Sequence, residues 1–414
     1  MNVPVTMKPL TLQVAARGTS RTPLLPEAGA ADLISRAERV AAVAAEHAAS
    51  VDDDSRFPVE AISAARAERL LGAVVPRELG GEGASISDVT DVCYALGRAC
   101  ASTALIYAMH QVKVACVVRH GCGSRWHEFL LRRLAREQML LASSTTEGDR
   151  GGDVRNSQAP IDRRDERIML ERDAMVISYG EAAGGIVTTA RRSSTAASGD
   201  QVLVIFLKGD YTLERQIGWN ALGMRGTCSA GFKLIAHGTS EQILPVSYEE
   251  IHARTTMPVA HLLWSGVWAG IATAAVDRAR EFVRKTTQRA GGELPPAAAH
   301  LTQASASLQK LRSLVVSALQ RFEAAASDPD ALESVDFQAG MNLCKVNASE
   351  LAVATVMSAM QTCGVAGYRN DGEFSIGRHL RDVLSSPIMI SNDRILANLA
   401  TASLLTAAPA SLRK

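Results

Sequence analysis

Near its C-terminus the chain reads RDVLSSPIMISND, Arg381 to Asp393. Two charged residues are followed by hydroxyl and apolar side chains, and no acid recurs between Asp382 and Asp393. Elsewhere the residues able to take up a proton near neutrality are few. His261, in HLLWSG, has an imidazole that titrates in the working range. Asp393 offers a carboxylate, although it reads equally well as a cap or first-turn acid of a last helix. Thr146 in TTEG and Ser178 in MVISYG are hydroxyls that hold a polar ligand or simply make cross-strand bonds. The nine histidines show no HExxH spacing, so no metal centre is expected. The seven cysteines are odd in number, lack a CxxC pair and read as reduced core thiols.

These residues need a scaffold, and the composition bounds it. At 414 residues the chain exceeds one ordinary core and suits two or three packed layers. Apolar residues make up 47% and charged residues 21%, with a formal net charge of +1. There is no basic excess to draw nucleic acid, and no apolar run of membrane-spanning length is expected. The first 30 residues carry no charged-then-apolar signal layout and are read as a flexible tail. Helical periodicity runs over 31–138, including ADLISRAERVAAVAAEHAA and one long run from Ile86 to Val118, with Ser85 or Ser87 as its cap. Short β-rich runs separated by Gly and Asp turns fill 139–255: MLLASSTTEG, RIMLERDAMVISYG, GIVTTARR, QVLVIFLKG and GFKLIAHG. Helices return over 256–414.

The order helices, β-domain, helical bundle, together with PRELGGEGAS, TTEGDRGGD, MVISYG, GMRGTCSAGF and QTCGVAGY followed by RHLRD, resembles the acyl-CoA dehydrogenase superfamily. The resemblance implies an α+β, mostly α fold: an N-terminal helical domain, a middle β-barrel or sandwich, and a C-terminal four-helix bundle. It also implies FAD in the cleft between the β-domain and the bundle. Thr146 and Ser178 would then face the ring's polar edge and N5 region, and Ile177 would be its apolar wall. Gly151 and Gly152 would admit the pyrophosphate, with Gly152 standing where serine is common. Arg284 would reach a neighbouring subunit's pyrophosphate, and Gln361, Gly364 and Gly367 would close over the ADP portion. A site shared in this way implies a homodimer or homotetramer. Glu147 and Arg225 are read as contacts between domains, and Ala101, Leu105, Ala108 and Val112 as one wall of an acyl pocket.

By the same resemblance, a glutamate that removes the α-proton of an acyl thioester should stand at 390, where this chain has isoleucine. The alternative family position falls near Ala260, beside His261, and again holds no carboxylate. The leading expectation is a cytoplasmic, FAD-dependent dehydrogenase acting on acyl-CoA or an acyl-carrier-protein thioester, with hydride transfer to flavin N5. Its base would be displaced to His261 or Asp393, and a flavoprotein or oxygen would accept its electrons. A flavin monooxygenase or N-oxygenase using reduced flavin and oxygen needs no such base. A non-catalytic acyl-binding homologue is the third reading.

Overall fold

The computed structural model describes residues 28–147 and 154–405. Helix α1 (Ala28–Asp53) forms because Leu33, Ala37, Val40, Ala44, Ala48 and Val51 recur on one face, and all six are buried. Pro58 caps α2 (Val59–Ala67). Ser85, not Ser87, caps α3 (Ile86–Ala99): its hydroxyl accepts from Asp88 N at 3.1 Å while Ser85 N donates to the Asp88 carboxylate at 3.0 Å. The single helix expected from Ile86 is broken at Cys100, whose backbone is extended, and α4 (Ala101–His120) begins beyond it. Cys100 still donates to Leu96 O and accepts from Ala104 N, so both of its own backbone groups stay paired through the change of direction. Helix α5 (Arg125–Glu137) completes this part.

The strands are β1 (Leu141–Ser144), β2 (Asp162–Arg164), β3 (Arg167–Ile177), β4 (Gly185–Arg191), β5 (Gln201–Leu207), β6 (Tyr211–Ile217) and β7 (Ala230–Thr239). They make two sheets, ordered β1-β4-β5 and β2-β3-β7-β6, with only the β1–β4 pair parallel. The edge strands β2 and β6 are largely exposed and polar, so they carry little apolar signal in the sequence.

A short helix α6 (Tyr248–Ile251) passes through a π-turn, His252–Thr256, into α7 (Met257–Arg289). Next come α8 (Ala298–Ala325), α9 (Pro329–Glu333), α10 (Val335–Cys363), α11 (Val365–Tyr368), α12 (Gly377–Val383) and α13 (Asn392–Leu405). The bundle is α7, α8 and α10 with α13 laid on α10, and α3 packs along the other side of α7. Two stretches correct the expectation about apolar length. Ala101–His120 and Tyr248–Arg289 are long and apolar enough to cross a membrane, but 89% of each apolar window is buried inside the fold. Their apolar surface is consumed by packing.

Two polar contacts fix the parts relative to one another. His110 on α4 is fully buried; its Nε2 lies 2.8 Å from Leu71 O, and its Nδ1 accepts from Leu141 N at 3.0 Å. The acceptor role of Nδ1 makes Nε2 the protonated nitrogen, and burial holds the pKa down at about 4. The second contact is the loop around Met224. Met224 N donates to the Asp382 carboxylate at 2.6 Å, Arg225 Nε donates to Asp52 O at 2.6 Å, and Arg381 pairs with the Asp52 carboxylate. Arg225 thus bridges the β-domain to α1, as expected. Packing here is close enough that a Cβ on Gly223 would lie 2.1 Å from Arg381 O.

Burial raises the Asp382 pKa to about 6, only partly offset by the Met224 N–H bond. A folded-state pKa above the unfolded carboxylate value means that the native chain holds the proton more tightly. This contribution is therefore present at low pH and lost as pH rises through about 6. Asp382→Asn keeps an acceptor for Met224 N without the charge. Its stability relative to the parent should grow by about 1 kcal/mol between pH 5 and pH 8, read from thermal unfolding at both values. An advantage that shrinks with pH would refute this.

Candidate functional site

Hydroxyls converge at the end of β3. Thr227 Oγ1 donates to Met224 O at 2.8 Å and lies 2.7 Å from Ser229 Oγ, which lies 2.7 Å from Ser178 Oγ. Ser178 is half-buried at the near end of this chain, and Thr146, also half-buried, follows β1. The bond from Met224 N to the Asp382 carboxylate continues the chain to α12, so the bundle reaches the Ser178 hydroxyl through three side chains and the Met224 main chain.

The register of β3 changes just before Ser178. A bulge against β7 between Ala174 and Ile177 breaks the alternation, leaving Met175 and Val176 both outward and turning Ile177 into the β-domain core. Ile177 is 0% exposed and Val176 39% exposed. The apolar side chain that this strand end presents outward is therefore Val176, whereas Ile177, expected as a wall, faces the core. Gly151 and Gly152 lie outside the described residues. The Glu147 carboxylate pairs with Arg172 at 3.2 Å and accepts from Gln158 N and Ala159 N. It braces the β-domain from within, not a contact between domains.

A second cluster surrounds position 390. Ile390 has φ +53°, a left-handed backbone that a β-branched residue adopts only under constraint. The constraint is Lys345 on α10. Its ammonium donates to Ile390 O at 2.6 Å and to Asn392 Oδ1 at 2.7 Å. Asn392 Nδ2 in turn donates to Ser349 Oγ at 3.0 Å. Lys345 is fully buried, sits over the Trp268 ring at 5.8 Å, and burial brings its pKa down to about 8. Nothing in the sequence reading singled out this lysine; a charged residue in an otherwise apolar helix stretch was the available signal.

His261 lies in the same interior, with Nδ1 3.2 Å from Met341 O and its ring beside Trp264. Burial first, then the Lys345 charge, depress its pKa to about 3. It is neutral at pH 7 but too weakly basic to drive abstraction of a proton from carbon. Asp393 is exposed in the first turn of α13, where it complements the helix N-terminus. The fold thus brings His261 and position 390 to one buried lysine and leaves Asp393 on the surface.

The other expected residues lie apart from these clusters. Arg284 is exposed and forms a two-bond pair with Glu281 on its own helix. Gln361 is exposed, and Gly364 ends α10 with φ +56° and ψ −136°, a conformation reserved for glycine. Gly367 is buried. Ala101, Leu105, Ala108 and Val112 are all buried in α4. A cavity of about 720 Å³ opens between α1, α3, α7 and the segment before α12, lined by Tyr94, Arg278, Phe374 and His379. It includes none of the hydroxyl or position-390 residues, so the candidate site is placed on chemistry and not on volume.

The site suits a flavin on one structural count. Ser178 ends a hydroxyl chain that can donate or accept, beside the outward Val176 and the half-buried Thr146. This is the pairing of polar edge and apolar wall that such a ring requires. No group of three or more metal-ligating side chains occurs among the described residues.

Family models match the chain in two places: acyl-CoA dehydrogenase, N-terminal domain, over residues 33–137, and acyl-CoA dehydrogenase, C-terminal domain, over residues 252–405. A cyclohex-1-ene-1-carbonyl-CoA dehydrogenase of Syntrophus aciditrophicus is 22% identical over 363 residues, spanning 87% of this chain and 86% of that protein. Among solved structures, FMN-bound TdsC of Paenibacillus sp. A11-2, a dibenzothiophene monooxygenase, superposes with TM-score 0.80 at 17% identity, covering 91% and 98% of the two chains. Butyryl-CoA dehydrogenase of Megasphaera elsdenii superposes with TM-score 0.76 at 19% identity, covering 93% and 100%. At these identities the structural likeness is one of fold.

Lys345→Met removes the donor to two buried acceptors and should destabilise the chain by roughly 1–3 kcal/mol. Ile390→Asn, tolerant of left-handed backbone, should stabilise it by about 1 kcal/mol. Chemical denaturation of both variants checks the pair. If Ile390→Asn is destabilising, the backbone at 390 is not under strain.

Proposed function

Because this chain belongs to the acyl-CoA dehydrogenase superfamily, whose cofactor is a flavin, typically FAD, we propose that it is a flavin-dependent monooxygenase or N-oxygenase. Thr146, Ser178 and Val176 would hold the ring; the Arg284, Gln361 and Gly364 regions would hold the rest of FAD between subunits. Bound and reduced, the flavin supplies two electrons to dioxygen, one oxygen atom entering the substrate and the other leaving as water. The observation that carries this reading is the state of position 390. Isoleucine stands there on a backbone pinned by a buried ammonium, and the His261 imidazole, beside the same ammonium, has a pKa of about 3. Isoleucine takes no proton, and an imidazole so weakly basic is poorly matched to removing an α-proton. What these residues supply instead is a dry, fixed wall: half-buried Met389 and Ile390 at the link and buried Trp268 behind it.

Dehydrogenation of a CoA or carrier-protein thioester, with electrons passed to a flavoprotein, is the second reading. It is favoured by the curated relative from Syntrophus, itself a dehydrogenase. A cytoplasmic homo-oligomer fits either reading. The exposed Val365, Tyr368 and Ile388, each more than three-quarters exposed, supply apolar surface near Gly364 for a subunit contact.

The test is anaerobic addition of short, branched and medium acyl-CoAs to the FAD-loaded protein. The visible flavin band should stay unchanged with every thioester. In air, reduced flavin from a reductase should be reoxidised with oxygen uptake that the protein couples to substrate oxygenation. Bleaching by any thioester would replace the oxygenase reading with the dehydrogenase one. A protein that binds no flavin would sink both.

A further inference from the structure

The cavity between α1, α3, α7 and the segment before α12 takes no part in the oxidation proposed above, and its chemistry is uneven. At about 720 Å³ it has the size of a small-molecule pocket. Tyr94 on α3 and Phe374 ahead of α12 give it two half-buried rings. Both rings are fixed from α7. The Tyr94 hydroxyl donates to Thr273 Oγ1 at 3.1 Å, and Phe374 meets Phe282 edge to face at 5.2 Å. Three basic side chains also line it. Arg278 on α7 donates from Nη1 to Ser375 O at 2.6 Å, which brings its guanidinium to the turn leading into Arg378 and His379. Arg278 and Arg378 are half-buried, and neither pairs with a carboxylate among the described residues. His379 is 7% exposed, and its Nδ1 has no hydrogen-bond partner.

The carboxylates around this turn are committed elsewhere. Asp382, one helical turn past Arg378, accepts from Met224 N. Asp277 is shared by Arg98 at 3.1 Å and Arg280 at 2.5 Å. Glu281 holds Arg284 at 2.7 Å, and Glu373 holds Lys285 at 2.5 Å. Glu38 and Asp91 also line the cavity without such a bond, but both are exposed, where water and salt screen them. What remains is two guanidiniums at one turn with an orphaned imidazole nitrogen. Water satisfies their hydrogen bonds and leaves their charges opposed. An oxyanion does both, and the guanidinium fork matches phosphate or carboxylate in two-bond geometry.

We propose that this cavity is a second ligand site, separate from the hydroxyl and position-390 clusters, that binds an aromatic oxyanion: Arg278 and Arg378 hold the anionic group, and Tyr94 and Phe374 flank the ring. His379 adds a hydrogen bond to the same ligand. A phosphate and a carboxylate share this chemistry and differ in charge, so the probes below separate them. The site stands apart from the proposed oxidation and is read by binding alone.

The probes are phenyl phosphate and benzoate, with benzyl alcohol as the neutral control, titrated into the full chain with and without FAD and followed by ligand-observed NMR. One of the two anions should bind and benzyl alcohol should not; the tighter anion identifies the head group. Arg378→Gln should weaken that anion at least about tenfold, and Arg378→Lys should weaken it less. Ala41→Trp, which fills the cavity from half-buried Ala41 on α1, should abolish binding in a chain whose thermal unfolding stays cooperative. Unchanged affinity in Arg378→Gln overturns the proposal, as does equal binding of benzyl alcohol. An anion displaced by FAD overturns it too, because the cavity then belongs to the cofactor. If the anion binds as expected while thioesters bleach the flavin, the second site stands and the oxygenase reading falls.

Discussion

The site depends on one line of hydrogen bonds, from the Asp382 carboxylate through Met224, Thr227 and Ser229 to Ser178. The middle of the line is a local turn, Met224 to Ser229, and its two ends reach distant parts of the chain, Ser178 and Asp382. At its origin, Asp382 is neighboured by the Asp52, Arg225 and Arg381 charges that lock α1, the Met224 loop and α12 together. Pairing makes these buried charges tolerable, and it makes them mutually dependent, because removing one partner strands another in a low-dielectric interior. The orientation of a hydroxyl in the β-domain is thereby tied to helices more than a hundred residues away in sequence. A hydrogen-bonded chain of this kind also polarises along its length, so Ser178 is a better donor or acceptor than an isolated serine.

The position-390 cluster uses the opposite strategy. Among the described residues no carboxylate pairs with Lys345; two carbonyl oxygens, one from backbone and one from Asn392, together with the face of Trp268, carry its charge. The cost appears as a lowered pKa and as left-handed backbone at Ile390. Such strain persists only where the surroundings over-determine it. Here a third anchor, Asn392 to Ser349, supplies the redundancy.

Much of this was legible in the sequence, and the misses have physical causes. Apolar periodicity located the long helices, and Gly and Asp turns located the β-domain, because both signals are local. The break at Cys100 left no trace, since no Gly or Pro marks it and Cys100 keeps its own two backbone bonds. The edge strands β2 and β6 were silent because they bury little. Ile177 was taken as the ring's wall from its motif, and a bulge set by pairing with β7 turns it inward instead. Thr146 and Ser178 were chosen for their motifs and are half-buried at strand ends. Lys345 was passed over because its meaning arises from a carbonyl 45 residues away. His261 was picked for its intrinsic titration, which burial then removed.

The clamp on Ile390 grips the main chain and leaves the side chain to its own devices. Geometry at that position is therefore encoded by Lys345 and Asn392, while reactivity is encoded by whatever residue occupies 390. The two properties can drift separately: a single codon change there exchanges an inert side chain for a titratable one without rebuilding the support beneath it. A fold organised in this way can pass from one flavin chemistry to another in small steps, which makes position 390 a hinge in evolutionary time rather than in motion.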